Sequence, residues 1–358
     1  MRAYNFSAGP AILPEEVLKQ AQAELLDFNG TGMSIMEMSH RGKDYSAVHQ
    51  ETKDNIAKLL NLPDNYSVLF MTGGASTQFS LIPMNLLGEG QTADYITAGS
   101  WSTKAIKAAK KLGNVNELAN TAKEIPTCMP ANDTLNFTAD AAYVHLCSNE
   151  TISGTQVKEF PNTQAPLIAD MSLDILSRPL DITQFGMIYA GAQKNLGPAG
   201  VTLVIIRDDL ADKSPEALPD LFQYKHVRDN DSLSNTAPTY PIYMLSLVTR
   251  WLLDKGGLEG IQKLNEEKAA KLYAAIDASD FYNGTALKEW RSPMNVTFRL
   301  PSEELEAQFV ADAAKQHMTS LKGHRSVGGI RASIYNAFPP EGVDALISFM
   351  AAFEAKRG

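Results

Sequence analysis

A single lysine, Lys194, sits in the middle of residues 189–200, a segment dense in alanine and glycine between two apolar runs. Small side chains let a backbone approach a bulky ligand closely, and glycine tolerates unusual dihedrals. An amine in such a place attacks an aldehyde to form an imine, provided its surroundings lower its pKa. Taken alone, the segment fits a surface turn with a solvated lysine better, because most lysines are exposed. Asp170 shifts that balance. It closes the apolar run 166–169, so a buried strand delivers a carboxylate at its tip. A pyridine ring used as an electron sink must keep its nitrogen protonated, and a buried aspartate does that. The competing role is a helix N-cap, since Ser172 and Asp174 follow. The 24 residues from Asp170 to Lys194 leave room for a helix-and-strand excursion, which sets both groups at neighbouring strand ends.

Other residues supply what a charged ring ligand needs. Gly73, Gly74, Ala75 and Ser76 form a turn between a strand and a helix, where free amides and the helix dipole converge on an anion. The turn has neither the Gly-Lys-Ser/Thr ending of a P-loop nor dinucleotide-site spacing, so its specificity is weak. Trp101, read as lying in a polar loop after a strand, offers an aromatic face for stacking, with an edge-of-core role equally open. Arg331, inside a strand after two glycines, suits a bidentate grip on a carboxylate; a surface ion pair is the plainer alternative. Lys322, His324 and Arg325 form a basic cluster, and His40 with Arg41 a second basic point. These cations do not by themselves distinguish phosphate from carboxylate.

The elements that must position these groups alternate between short apolar runs and longer amphipathic stretches, which predicts an α/β architecture with a mostly parallel sheet. Strands are expected at 66–71, 94–97, 142–147, 166–169, 187–190 and 201–206. Pro14, Glu15 and Glu16 open a helix whose apolar face is Val17, Leu18, Ala21 and Leu25. After Tyr240 a strongly apolar helix (Ile242, Leu245, Val248, Leu252) stops at Gly256 and Gly257. The remainder reads as a helix, a strand at 295–300, a helix from Ser302, a strand at 330–336 and a last helix. A boundary near Gly256 therefore separates a large domain from a smaller α+β one, with no internal repeat.

The 358 residues suit that division. Thirty-two basic against 41 acidic side chains leave a formal charge of −9, so nothing global favours nucleic acid or an anionic membrane. Cys128 and Cys147 form no CxxC pair, and no apolar run approaches a membrane span or a signal sequence. A cytoplasmic protein is expected. The six histidines show no metal-ligand spacing, so no metal centre is expected.

Several segments together resemble the class V aminotransferases of the fold-type I pyridoxal-phosphate enzymes, and within them the phosphoserine aminotransferases. They are residues 5–11, 38–41, 148–151, 169–170, 189–195, 234–236 and 323–333. The stretches around Lys194 and from His324 to Arg331 are the specific ones. The resemblance implies a seven-stranded-type, mostly parallel sheet flanked by helices. It implies a pyridoxal-phosphate domain over 15–256, and a small domain over 257–358 joined by residues 1–14. Lys194 would carry pyridoxal 5′-phosphate as a Schiff base, Asp170 would pair with the pyridinium nitrogen, Trp101 would stack on the ring, and Thr151 would meet its phenolic oxygen. Ala75, Ser76 and Gln193 would hold the phosphate, with Asn235 and Thr236 donated by a second subunit of a homodimer. His40, Arg41, His324, Arg325 and Arg331 would bind substrate. The implied reaction is transamination between glutamate and 3-phosphohydroxypyruvate, giving phosphoserine and 2-oxoglutarate for serine biosynthesis. A second substrate, 4-phosphohydroxy-threonine of pyridoxine biosynthesis, stays open. Ser76 stands where many relatives carry arginine, and Ala237 where proline is common. A cysteine desulfurase of the same fold would need a reactive cysteine on a mobile loop, for which Cys128 is the sole candidate.

Overall fold

The computed structural model describes residues 2–358. Seven strands make the central sheet: β1 (Tyr66–Met71), β2 (Thr92–Thr97), β3 (Asn114–Asn120), β4 (Val144–Cys147), β5 (Leu167–Asp170), β6 (Met187–Gly191) and β7 (Thr202–Arg207). Their spatial order is β1-β7-β6-β5-β4-β2-β3. All run parallel except β7, which is antiparallel to both neighbours. Ten residues separate β6 from β7 and form no helix, too short an excursion for a parallel crossover, so the chain turns back. The inner strands are buried on both faces, which is why they read as continuous apolar runs.

Two departures from the sequence pattern have simple causes. Strand β3 was not expected, because its sequence, NVNELAN, carries no apolar run; it lies at the sheet edge and is largely solvated. The helix Lys43–Leu60, also unexpected, packs on the apolar helix Thr239–Asp254. Leu25, placed on the first helix's apolar face, is 38% exposed, because that helix ends at Ala23.

Apolar residues on the two faces of the large sheet form separate cores, one centred on Ile188, Leu203 and Leu245, the other on Ile82, Tyr143 and Val204. A further core gathers Val296, Phe298, Phe309, Ala332, Leu346 and Phe349 around a three-stranded antiparallel sheet made by Asn283–Gly284, Asn295–Arg299 and Ile330–Ser333. Helix Gly257–Asp277 serves both sides: Leu258 and Ile261 enter the large core, Ala269, Leu272 and Ile276 the other. The N-terminal segment returns to that second core. Tyr4–Asn5 pairs with Met318–Thr319, and Phe6 and Ile12 are buried there. Ala11 N–H then donates to Gln193 C=O at 2.8 Å, tying the segment to the turn that bears Lys194.

Candidate active site

Strands β5 and β6 pair in parallel with Asp170 opposite Tyr189, so the turn after β6 brings Lys194 to the same sheet end. Asp170 is 3% exposed. Its Oδ1 accepts the Ser172 amide at 2.9 Å and the Ser172 hydroxyl at 2.6 Å, while that hydroxyl accepts the Gly191 amide at 3.1 Å. No helix follows Asp170, since residues 171–178 make only turns, so it caps none; the carboxylate is tied through Ser172 to the next strand end, and its Oδ2 accepts no hydrogen bond from a described residue. Burial raises the Asp170 pKa, against the Ser172 hydrogen bonds and the nearby Lys194. Burial lowers that of Lys194, against Asp170, Cys147 and Glu150. Desolvation favours the neutral form of each group. An amine eased toward its neutral form, beside a buried carboxyl that a cationic partner would hold ionised, is suited to an aldehyde-bearing pyridine.

Trp101 does not lie in a loop, contrary to the sequence reading. It occupies the first turn of helix Ser100–Ala109, which the local sequence SWSTKA disguises with its polar residues. The buried Glu150 carboxylate accepts the amides of Trp101 (3.2 Å) and Ser102 (2.9 Å) and the Ser102 hydroxyl (2.6 Å), satisfying donors that the helix start leaves free. Gly99 makes that approach possible, since a Cβ there would stand 2.4 Å from Glu150 Cδ. Indole Nε1 donates to Thr151 Oγ1 at 3.2 Å, and Lys194 Nζ lies 5.3 Å from the centre of the Trp101 rings.

Gly73 and Gly74 have positive φ (90° and 73°) and turn β1 into helix Ala75–Leu86. A Cβ on Gly73 would stand 2.4 Å from Thr77 Oγ1, which itself donates to Gly73 C=O at 2.7 Å. No acidic residue occupies the first turn, so the open amides of Ala75 and Ser76 face an anion site without competition. Gly9, with φ 149°, brings its backbone over the lysine: a Cβ there would stand 3.5 Å from Lys194 Cε.

Opposite these groups stands Arg331, whose Nε is buried without a hydrogen-bond partner and which makes no ion pair with a described residue. Burial holds its pKa down, against the nearby Tyr335. His324 Nδ1 is 2.7 Å from Ser326 Oγ. Burial, then Arg331, Arg325 and Lys104, depress its pKa. A cleft of about 280 Å³ joins Ala75, Ser76, Trp101, Thr151, Asp170, Gln193, Lys194, His324 and Arg331, as the sequence reading proposed for a single site.

The other expected residues are not in this cleft. Arg325 is exposed beside His324, and Lys322 bridges to Ile330. His40 and Arg41 lie with the 233–236 segment: Arg41 Nη2 donates to Leu233 C=O at 3.5 Å, and Asn235 and Thr236 are exposed. Sequence reasoning also passed over Ser172, Glu150 and Lys104. The Lys104 amine stands 4.1 Å from the centre of the Trp101 rings. Only the helical spacing of 101 to 104 could have suggested that contact. The two cysteines are free; Cys147 is buried in β4, and burial pushes the thiols of both upward, so neither suits a nucleophile.

A sheet with its ligand groups at one end, a lowered lysine facing a buried aspartate, and an anion cradle define a fold-type I pyridoxal-phosphate enzyme. The family model "Aminotransferase class-V" matches residues 3–346, and the chain belongs to that family. It is 54% identical over 359 residues to "Phosphoserine aminotransferase" of Niallia circulans, covering 100% of this chain and 99% of the relative. The protein of that name from Geobacillus kaustophilus is 54% identical over 356 residues, covering 99% of each. Among solved structures, phosphoserine aminotransferase from Bacillus circulans subsp. alkalophilus superposes with a TM-score of 0.97 at 53% identity, over 100% of this chain and 99% of that one. The pyridoxal-phosphate-bound phosphoserine aminotransferase of Trichomonas vaginalis does so with 0.94 at 42% identity, over 98% and 100%. This protein is accordingly a pyridoxal-phosphate-dependent aminotransferase, acting on small molecules.

Proposed function

We propose that the protein moves an amino group from glutamate to 3-phosphohydroxypyruvate, forming phosphoserine and 2-oxoglutarate for serine biosynthesis. The observation that carries this reading is the unpaired Arg331, with His324 beside it, across the cleft from Lys194 and Asp170. A buried guanidinium, with a histidine beside it that a bound anion can charge, suits a substrate with two anionic ends on a chain of net charge −9.

When bound, pyridoxal phosphate supplies an aldehyde that takes up the amino group and a protonated ring that accepts electrons. Asp170 holds the proton on the ring nitrogen with the oxygen that Ser172 leaves free. Trp101 covers a ring face and excludes water, while the Thr151 hydroxyl, accepting from the indole, keeps its own proton for the phenolic oxygen. The Ala75 and Ser76 amides and Gln193 hold the phosphate. Lys194 would hold the cofactor through its amine, and the same amine would move the substrate α-proton. Burial lowers its pKa, which favours the uncharged amine that both tasks need. Arg331 grips the α-carboxylate, and His324 with Arg325 takes the substrate phosphate.

Asn235, Thr236, His40 and Arg41 reach the equivalent cleft of a second copy in a homodimer. Their support is shared placement: the two segments touch through Arg41 and Leu233 and stay outside the cleft of their own chain. We read residues 15–256 as the cofactor domain and 257–358 with 1–14 as the smaller one, supported by the separate cores; Met1 lies outside the described residues. A cytoplasmic location is supported by the two unpaired cysteines, and no described helix is long and apolar enough to cross a membrane.

The test is the visible spectrum of the holoenzyme on adding glutamate, then phosphoserine to the re-formed starting state. Both must convert the cofactor to its amine form, and 3-phosphohydroxypyruvate must restore it. Conversion by glutamate but not by phosphoserine would overturn the substrate. The same assay with 4-phosphohydroxy-threonine tests a role in pyridoxine biosynthesis.

A further inference from the structure

A second cavity, of about 300 Å³, shares no lining residue with the Lys194 cleft. It opens between residues 156–178 and 262–293, and its ionic lining is lopsided: Lys158, Arg178, Lys288 and Arg291 against the single carboxylate of Glu266. Asp277 answers two of the four, approaching Lys288 at 3.0 Å and Arg291 at 2.7 Å. No described carboxylate lies within ion-pair distance of Lys158 or Arg178. Glu266 instead accepts Gln262 Nε2 at 2.7 Å. The buried Asp174 carboxylate is engaged by Ser148 and by Gln156 Nε2.

The donors of these two cations are only partly used. Lys158 Nζ donates to Gln156 Oε1 at 3.1 Å and to Arg291 C=O at 2.6 Å. Arg178 donates through Nη2 to Val157 C=O at 2.8 Å, while its Nε is buried with no partner. Burial, and next the charge of Arg178, bring the Lys158 amine down to about 8. Asp174 answers both cations, and Glu266 answers Lys158, only beyond ion-pair distance, and one guanidinium N–H has no partner, so an entering anion supplies the close contacts that are missing. The guanidinium fork matches two oxygens of one phosphoryl group, and the ammonium suits a third.

The walls are already fixed. Gln156 donates to Asp174, whose partner Ser148 also donates its amide to Asp170 C=O at 3.0 Å. On the other side Asn265 Nδ2 donates to Asn336 Oδ1 at 2.8 Å, and Asn336 N–H to Asn195 Oδ1 at 3.1 Å. A preformed pocket loses little on binding. We propose that this cavity is a second anion site, taking a small dianion, phosphate or a phosphomonoester, between Lys158 and Arg178. The proposal is independent of which substrate the Lys194 cleft accepts.

Limited acylation of the holoenzyme with acetic anhydride, read residue by residue by mass spectrometry, tests it with inorganic phosphate as the probe. As phosphate saturates the site, labelling of Lys158 falls by about tenfold. Labelling of the exposed Lys271, paired with Asp344, stays constant, and chloride at equal ionic strength protects neither. Arg178→Gln abolishes the protection while Lys158 remains reactive. Phosphate that left Lys158 labelling unchanged in the wild type would overturn the site, whether or not the variant folds. Full protection in a folded Arg178→Gln protein would overturn it too.

Discussion

The two walls of the Lys194 cleft are built on opposite principles. On the large-sheet wall each functional group is held by neighbours: Asp170 by buried Ser172, Trp101 by buried Glu150 and Thr151, and the Gly73–Gly74 turn by Thr77. On the facing wall Arg331 has an orphaned Nε and no ion pair with a described residue, and beside that wall, outside the cleft, Arg325 stands in solvent. A cofactor stays through every turnover, so its wall can be prearranged and internally satisfied. Substrates come and go, and a wall whose charges lack partners gains its hydrogen bonds only when one arrives. The depressed His324 pKa belongs to the same design: the wall is short of negative charge until substrate supplies it.

This contrast can be broken most severely at Lys194. Lys194→Ala should cut amino transfer by about 10²–10⁴ and leave the cofactor non-covalently bound; stoichiometric borohydride labelling of the variant would sink the assignment. Next comes Asp170→Asn, which keeps the shape and removes the charge. A loss of about 10²–10³ in kcat is expected, with the chain still folded by circular dichroism.

The facing wall should respond differently, and selectively. Arg325→Ala should weaken phosphorylated substrate by about 10–100-fold, since a hydrogen bond to a charged group is worth roughly 1.5–3 kcal/mol. Glutamate should be far less affected. Equal losses in both half-reactions, measured by stopped flow, would remove Arg325 from phosphate binding. The smallest effect is one of pH. Burial and three cations hold the His324 pKa low in the free cleft, and a bound dianion raises it again, so binding takes up a proton. Affinity for phosphorylated substrate should therefore rise as pH falls through the histidine range, about 8 to 5, with little change for glutamate. Loss of that difference in His324→Asn would confirm the source; its persistence would place the proton elsewhere.

Much of the cofactor wall was legible in the sequence because it is built from strand ends, and strand ends announce themselves. Asp170 follows an apolar run and Lys194 sits in a turn of small residues, so covalent order alone set both at one end of the sheet. Trp101 was placed in the wrong element, because its helix start is held largely by Glu150, 49 residues away, which no local pattern shows. Strand β3 escaped for a related reason: an edge strand buries too little to need an apolar pattern. Arg331 was visible as a type and a position, but its lack of a partner was not.

The residue order by itself determined the alternation of strand and helix, the parallel sheet, the chemical types at its ligand end and the family. Those depend on short-range pattern and on motifs contiguous in the chain. Tertiary structure alone decided which charges are answered and which are left open. Ser172 takes one oxygen of Asp170, Asp277 answers Arg291, and nothing described pairs with Arg331 or Arg178. Ion pairing and desolvation act through space over a few ångströms, between groups that the sequence separates by tens or hundreds of residues.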